Sequence, residues 1–379
     1  MGGSPGFALG GAEMHLNSDL AVQAINAAGG INGHPVQVLY ADPNANPTQA
    51  SNLALKFVQQ DNVDALVGAE GSPECTAVED LAQRVGVIYV VSSGCAAAEV
   101  TSKTCNKFSF RTMPTAGQQL GPIAQAVVPA YGKRWAVLYT DYLLGQSQLA
   151  AFTSAVQAAG GDVTLSIATP QQVTNYAPYV SRVPVDGSID GLLDAEVDSA
   201  GSMSALQQFG ITSKVPVVLS GNGIEFFGGV WPDTLDNSIH VGVHLSQPQP
   251  DNPFDQHYFA AFQAEAQRQP DMAQILGGVD HALSGNTLGY EAYTAITALK
   301  VAMVKSNYNG KADMQKLVAA MEQLDEPMSD DFPAGRFIMN PTDHQGRSTV
   351  YVMRLHGQQD EIVQAIPADE VPMIGDCHV

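Results

Sequence analysis

Basic residues are scarce in this chain. Lys and Arg number 17 against 38 Asp and Glu, a net charge of −21 that repels nucleic acid phosphates and anionic membrane surfaces alike. Charged residues make up only 15% and hydrophobic ones 45%, so the chain reads as globular rather than disordered. No apolar run approaches the roughly 18 to 20 residues of a membrane helix, and no cationic start leads into an apolar stretch. Neither a membrane anchor nor a signal peptide is therefore read in the chain as it stands.

Reactive signatures are equally absent. There is no G-x-x-x-x-G-K-[ST] phosphate loop, no H-E-x-x-H and no G-x-S-x-G nucleophile elbow. The opening Gly-Gly-Ser-Pro-Gly-Phe-Ala-Leu-Gly-Gly superficially matches a dinucleotide loop, but no strand precedes it. The four cysteines, Cys75, Cys95, Cys105 and Cys377, show no C-x-x-C spacing and no accompanying histidine, so no metal site is expected. Their even number reads better as two disulfides formed in an oxidising compartment. No cofactor is expected either.

What the chain does have is a pattern of α/β returns. Residues 24–42 read as a helix with Ala21, Ile25 and Ala28 on one stripe, stopped by Gly29 and Gly30. An Asn32-Gly33 turn follows, and then a strand with Val36, Val38 and Tyr40 on one face. The same kind of ending, V-Q-A-A-G-G, recurs at 156–161 before Val163, Leu165 and Ile167. A recurrence so far down a chain of 379 residues points to two similar lobes with a cleft between them, not to a solenoid.

Between these markers, helices alternate with short, continuous apolar strands, the signature of parallel sheets buried on both faces. Helices are expected over 47–60, 75–84, 117–131, 145–159, 254–268, 281–305 and 312–324. Strands are expected over 63–69, 87–91, 135–140, 163–169, 191–195, 215–220, 335–339 and 349–355, with a polar tail over 358–379. The lobe change falls near 112–117. Ligands of such sheets bind in the loops beyond the carboxyl ends of the strands, here 70–73, 92–95, 141–145, 194–198 and 221–223. These loops are rich in Gly and small hydroxyl residues and offer no nucleophile with an adjacent base, which reads as binding without catalysis.

Four segments in order resemble one family. They are A-I-N-A-A-G-G-I-N-G-H-P-V at 24–36, V-D-A-L-V-G at 63–68, E-V-T-S-K-T-C-N-K-F-S-F-R-T at 99–112 and L-G-Y-E-A at 288–292. The chain is similar over its whole length to the type I periplasmic binding proteins, in particular the leucine/isoleucine/valine-binding branch of ABC transporter receptors.

The resemblance implies two doubly wound parallel-sheet lobes joined by three crossovers and closing on a small ligand. The lobes would be 1–117 with 248–327, and 118–247 with 328–357, followed by the tail. It implies a small-molecule ligand, an amino acid as first guess, and a membrane permease as partner. The place of action would be the periplasm or the cell surface, with the chain lipid-anchored or free. A ligand-sensing domain of a signalling receptor on the same fold is the rival reading.

Carried over residue by residue, the ligand positions are Ser72, Ser93, Gly94, Ala96, Tyr142, Ala195, Glu196 and Asn222. Ala96 stands where many amino-acid binders have Thr, and Asn222 where they have an acid. The position beside Ala195, often aromatic, is surrounded by Asp194, Glu196 and Asp198. Glu196 would pair with an ammonium group if it faces the cleft; if it faces water, the ligand need not be an amino acid. Ser72 and Ser93 have an alternative as helix caps, Tyr142 as hinge packing, and Asp194 and Asp198 as capping or solvated residues.

In the same fold Cys75 and Cys95 would follow neighbouring strands and bridge, leaving Cys105 to clamp Cys377. The family also begins with a strand that this chain does not show, which would expose unpaired backbone in the first lobe and suggests a truncated start.

Overall fold

Two parallel sheets of unequal size organise the molecule, a computed structural model that describes residues 5–220, 235–279, 288–357, 359–373 and 377–379. The smaller has the order β1-β2-β3: Ala65–Val67, Ile88–Val91 and Ser109–Arg111. Its alternation is read directly from the sequence. Ile88 and Val90 pack toward α10 (Leu288–Lys305) and α11 (Met314–Glu322), whereas Val87, Tyr89 and Val91 pack toward α2 (Pro47–Gln59) and α3 (Ser72–Val85). Local signals fix the helix ends. The Asn46 side chain accepts from the Gln49 amide at the start of α2, and α3 stops at Gly86, whose φ of 68° is left-handed.

The larger sheet has seven strands. It contains β4 (Arg134–Thr140), β5 (Asp162–Thr169), β6 (Gly191–Ala195), β7 (Val217–Leu219) and β8 (Ile239–Gly242), all parallel, in the order β8-β7-β6-β4-β5. α4 (Ala116–Tyr131) and α5 (Leu143–Ala158) lie on the face that carries Trp135 and Val137. The short α6 (Ala177–Val180) and α7 (Ser199–Gln208) lie on the face with Ala136 and Leu138. The chain then returns through α8 (Pro253–Arg268) and α9 (Pro270–Ile275) to α10 beside the long first helix, α1 (Pro5–Ala27).

A small antiparallel sheet, β9 (Asp325–Glu326), β10 (Phe337–Met339) and β11 (Gly346–Arg347), makes the expected β excursion. Beyond it β12 (Val350–His356) pairs antiparallel with β8.

Three expectations are corrected. The glycine-rich opening is helix from Pro5 onward, not loop. The polar tail contains a strand, β13 (Gln359–Ile366), which closes the large sheet by pairing with β12.

The third concerns Val36, Val38 and Tyr40, which lie in no strand: residues 35–43 are irregular, Leu39 and Tyr40 are exposed, and β1 forms the sheet edge. A period-2 pattern makes a strand only where another strand supplies hydrogen bonds. Here a cavity of about 1010 Å³ lies against both this segment and β1, lined by Met14, Val36, Val38, Phe57, Leu66 and Leu299 among others. Of the expected helix over 281–305, residues 281–287 lie outside the described residues, as does the loop 221–223 with Asn222.

Candidate functional site

The carboxyl ends of β1 and β2 lead into the two loops that approach each other most closely. Gly94 has φ 56°, and a Cβ there would sit 1.7 Å from the Glu70 carbonyl oxygen, so only glycine lets these backbones meet. A disulfide between Cys75 and Cys95 ties them together, and a second joins Cys105 to Cys377.

Ser72 and Ser93 are both fully buried here. Ser72 does not cap α3, because Gly71 holds the N-cap position without any side-chain bond; its Oγ lies at the limit of hydrogen bonding to the Gly94 carbonyl, 3.5 Å. Ser93 Oγ has no partner. A buried hydroxyl without a partner costs roughly 1–3 kcal/mol unless something supplies one.

Tyr142 belongs to the other lobe, at the start of α5, and reaches across. Its side chain packs with Ala96, Met113 and Leu144. Burial raises its hydroxyl pKa, and the charges of Glu70, Glu74 and Glu196 raise it further. Glu70, which opens the expected loop 70–73, and Glu74, which the sequence reading passed over, line the cavity beside β1. Burial, then the neighbouring Glu74 and Asp42 charges, pushes the Glu70 carboxyl well above the usual range, and burial raises Glu74 too. A direct bond also spans the lobes: the Ala98 amide donates to Ser147 Oγ of α5 at 2.9 Å.

The second-lobe positions behave differently. Ala195 ends β6 and is buried in the core. Glu196 neither faces water nor stands free: it is buried and accepts from Thr140 Oγ1 at 2.8 Å, Thr169 Oγ1 at 2.7 Å and Tyr176 Oη at 3.4 Å. Burial raises its pKa against those bonds. Asp194 is likewise internal, accepting from Ser202 Oγ at 2.6 Å. Asp198 caps α7 by accepting from the Gly201 amide at 3.1 Å. Ser72, Ser93, Gly94, Ala96 and Tyr142 thus come together, whereas Glu196 is buried at the carboxyl ends of β4 and β5 with its carboxylate bonded by Thr140 and Thr169.

Behind the loops lies Arg111, the one Lys or Arg among the buried residues described. All of its bonds are internal: Nη1 donates to the Cys95 and Ala97 carbonyls, both at 2.9 Å, Nη2 to Ser102 Oγ at 2.8 Å and Nε to Gln345 Oε1 at 2.6 Å. Burial lowers its pKa to about 10, which still leaves it charged at neutral pH. It is not available to a ligand. Nothing in its sequence context beyond the F-R-T of the resembling segment marked it.

Comparison with known proteins places this geometry. The profile of a family described as "Periplasmic binding protein" matches residues 4–360. Among curated proteins, the chain is 23% identical over 333 residues to "Leu/Ile/Val-binding protein homolog 8" of Brucella abortus (strain 2308), covering 86% of this chain and 79% of that one. It is 26% identical over 337 residues to the "Chemotactic signal transduction system substrate-binding protein BasB" of Halobacterium salinarum, covering 81% and 78%. Among solved structures, a solute-binding protein of an ABC transporter from Rhodopseudomonas palustris BisB5, in complex with 3,4-dihydroxybenzoic acid, superposes with a TM-score of 0.82 at 20% identity. The match covers 98% of this chain and 96% of that one. With a two-sheet α/β body, two loops meeting at Gly94 and a family match over nearly its whole length, the chain belongs to the type I periplasmic binding proteins, the solute-binding proteins of ABC transporters, and is not an enzyme.

Proposed function

We propose that the chain captures an amino acid, or a close relative carrying both carboxylate and ammonium groups, for the membrane permease of an ABC importer. It acts in the periplasm or at the cell surface, free or lipid-anchored. No helix among the described residues is long and apolar enough to cross a membrane. Closure takes place between residues 1–117 with 248–346 and residues 118–247 with 347–357, the last expected boundary moving from 327 because Phe332, Phe337 and Met339 pack with Ile88, Val90 and Phe110 of the smaller sheet; the strand β13 moves with the second group.

One observation carries the reading. The buried hydroxyl of Ser93 has no partner, the adjoining Gly94 packs against Glu70, and no Lys or Arg among the described residues offsets the burial that raises the Glu70 and Glu74 carboxyls. The hydroxyls of Ser72 and Ser93, with backbone amides around Gly94 and Ala96, suit a carboxylate. Glu70 and Glu74, with the Tyr142 hydroxyl, suit an ammonium group. An aromatic acid of the kind bound by the Rhodopseudomonas protein would satisfy the first set and meet the acids only with neutral ring hydroxyls, without the positive charge of an ammonium group. Glu196, with its carboxylate satisfied by three hydroxyls, takes no part, and Asn222 retains the family role of a second-lobe polar contact.

Thermal unfolding against amino acids, amides, aromatic acids and polyamines tests this. A ligand at 100 times its Kd adds about 2.7 kcal/mol, so an upward Tm shift with amino acids supports the reading. A shift with aromatic acids alone overturns it. The chemotactic relative favours a second use of the same site, as the sensing subunit of a receptor. Co-purification with a permease rather than a transducer separates the two.

A further inference from the structure

The guanidinium of Arg111 does more than fill the core, because each of its bonds ends on a segment with a separate task. Nη1 holds the carbonyls of Cys95 and Ala97, in the loop that carries Ser93, Gly94 and Ala96. Through the disulfide, that loop is tied to α3, three residues past Ser72. On the other side, Nε donates to Gln345 Oε1, and the Gln345 amide nitrogen donates to the Met113 carbonyl at 3.0 Å and to the Gly346 carbonyl at 2.7 Å.

Met113 lies where the chain leaves β3 for α4 in the second lobe, and Gly346 just before it passes from β11 to β12 in that same lobe. Backbone contacts reinforce the junction: the Arg111 amide donates to the His344 carbonyl at 2.9 Å, and Arg111 and Gln345 form a parallel bridge. Met113 in turn packs against Ala96 and Tyr142.

We propose that Arg111 and Gln345 are positioning residues that couple two of the lobe crossings to the ligand loop, so that the set of the hinge determines the set of residues 93–97. This rests on the solute-binding reading above. The physical reason is geometric. A planar guanidinium offers donors in fixed directions, so moving the Gln345 acceptor turns the same plane that holds Cys95 and Ala97. Gln345 alone joins that plane to both crossings, with its oxygen toward Arg111 and its nitrogen toward Met113 and Gly346.

The test compares Gln345→Leu, Gln345→Glu and Arg111→Lys with the wild type, in the full chain. Amide hydrogen exchange is followed without ligand, and L-leucine binding by calorimetry and stopped flow. Loss of a hydrogen bond to a charged group is worth about tenfold or more. Gln345→Leu is expected to raise exchange at 94–98 about tenfold while β2 and α3 stay protected, and to weaken leucine about tenfold, mainly through faster dissociation. Gln345→Glu keeps the acceptor for Arg111 and loses the donor to Met113. It is expected to restore protection at 94–98 and yet leave dissociation fast. Arg111→Lys is expected to expose the loop as Gln345→Leu does.

Exchange that rises equally through the whole lobe, or not at all at 94–98, overturns the proposal. So does an exposed loop with unchanged leucine dissociation. If Gln345→Leu does not fold, the other two variants decide by the same comparison. A wild type that binds no leucine overturns the amino-acid reading instead, and the exchange pattern alone then decides whether Gln345 holds the loop.

Discussion

One short sequence ending is used twice in this chain, with opposite results. In the second lobe V-Q-A-A-G-G closes α5 and leads into β5, which pairs with β4 from Arg134↔Asp162 to Thr140↔Thr169. In the first lobe the Ala-Ala-Gly-Gly after α1 leads into residues 35–43, with an equally alternating pattern, and there no strand forms. The glycines behave alike: Gly29, Gly30 and Gly160 all have positive φ, and the chain turns after each. What differs is the neighbour. β5 lies beside an established strand, while 35–43 faces a cavity with β1 on its border. Local pattern selects which face a strand would bury, and pairing decides whether the strand exists.

The lobes should therefore differ in what holds them. In the first, with its three-stranded sheet and its cavity, covalent ties carry more of the load. The Cys105–Cys377 bridge closes a separation of 272 residues and Cys75–Cys95 one of 20. Chain-entropy reasoning gives about 5.6 kcal/mol for the long loop, slightly above the observed range, and about 3 kcal/mol for the short one. Replacing Cys105 and Cys377 by Ala should be the most damaging change considered, read as a lower urea midpoint with lobe-one amides exchanging first. Equal loss of protection in both lobes would break the comparison.

A smaller effect tests packing directly. Leu138 on β4 is fully buried between two helical layers, so Leu138→Ala removes contacts and leaves a new void, about 3 kcal/mol. Leu66 on β1 already lines the cavity. Leu66→Ala only enlarges a space that exists, and about 2 kcal/mol of transfer free energy is expected without the added cavity term. Chemical denaturation of both variants gives the ratio, and similar losses would mean that the first lobe is as tightly packed as the second.

Much of the architecture was legible because buried parallel strands and capped helices leave local marks. The run 87–91 and the Gly86 stop, Thr115 with Gln118 as a capping box at α4, and Asn252 before Pro253 all write their elements into a few residues. β3 and β8 escaped, being only three and four residues long with charged or polar members such as Arg111 and His240. β13 escaped because an edge strand lying mostly in water reads as polar tail, six of its eight residues being exposed.

At the site, the family resemblance placed Ser72, Ser93, Gly94, Ala96 and Tyr142 together. It could not tell that Glu196 is bonded by Thr140 and Thr169, since partners brought together from two other strands leave no mark in the local sequence. Arg111 and Gln345, far apart in the chain, have no local signature at all, because their role exists only in their contact.

Buried acids sharpen the comparison through pH. Glu196 in the second lobe has its carboxylate bonded by Thr140, Thr169 and Tyr176. Glu79 in the first keeps an oxygen, Oε1, with no partner, and burial pushes its pKa to about 8 despite the Arg111 charge nearby. The folded protein thus holds this proton more tightly than the unfolded chain, whose glutamate titrates near 4.3. Stability from this group is full below that value and is lost as pH rises through the window up to about 8. Tm should fall between pH 5 and pH 8. Glu79→Gln, which cannot ionise, should flatten that fall while Glu196→Leu, which removes the acceptor of all three hydroxyls, lowers Tm at every pH. A slope unchanged by Glu79→Gln would show that the partnered acids of the second lobe, rather than the orphaned one of the first, set the alkaline limit.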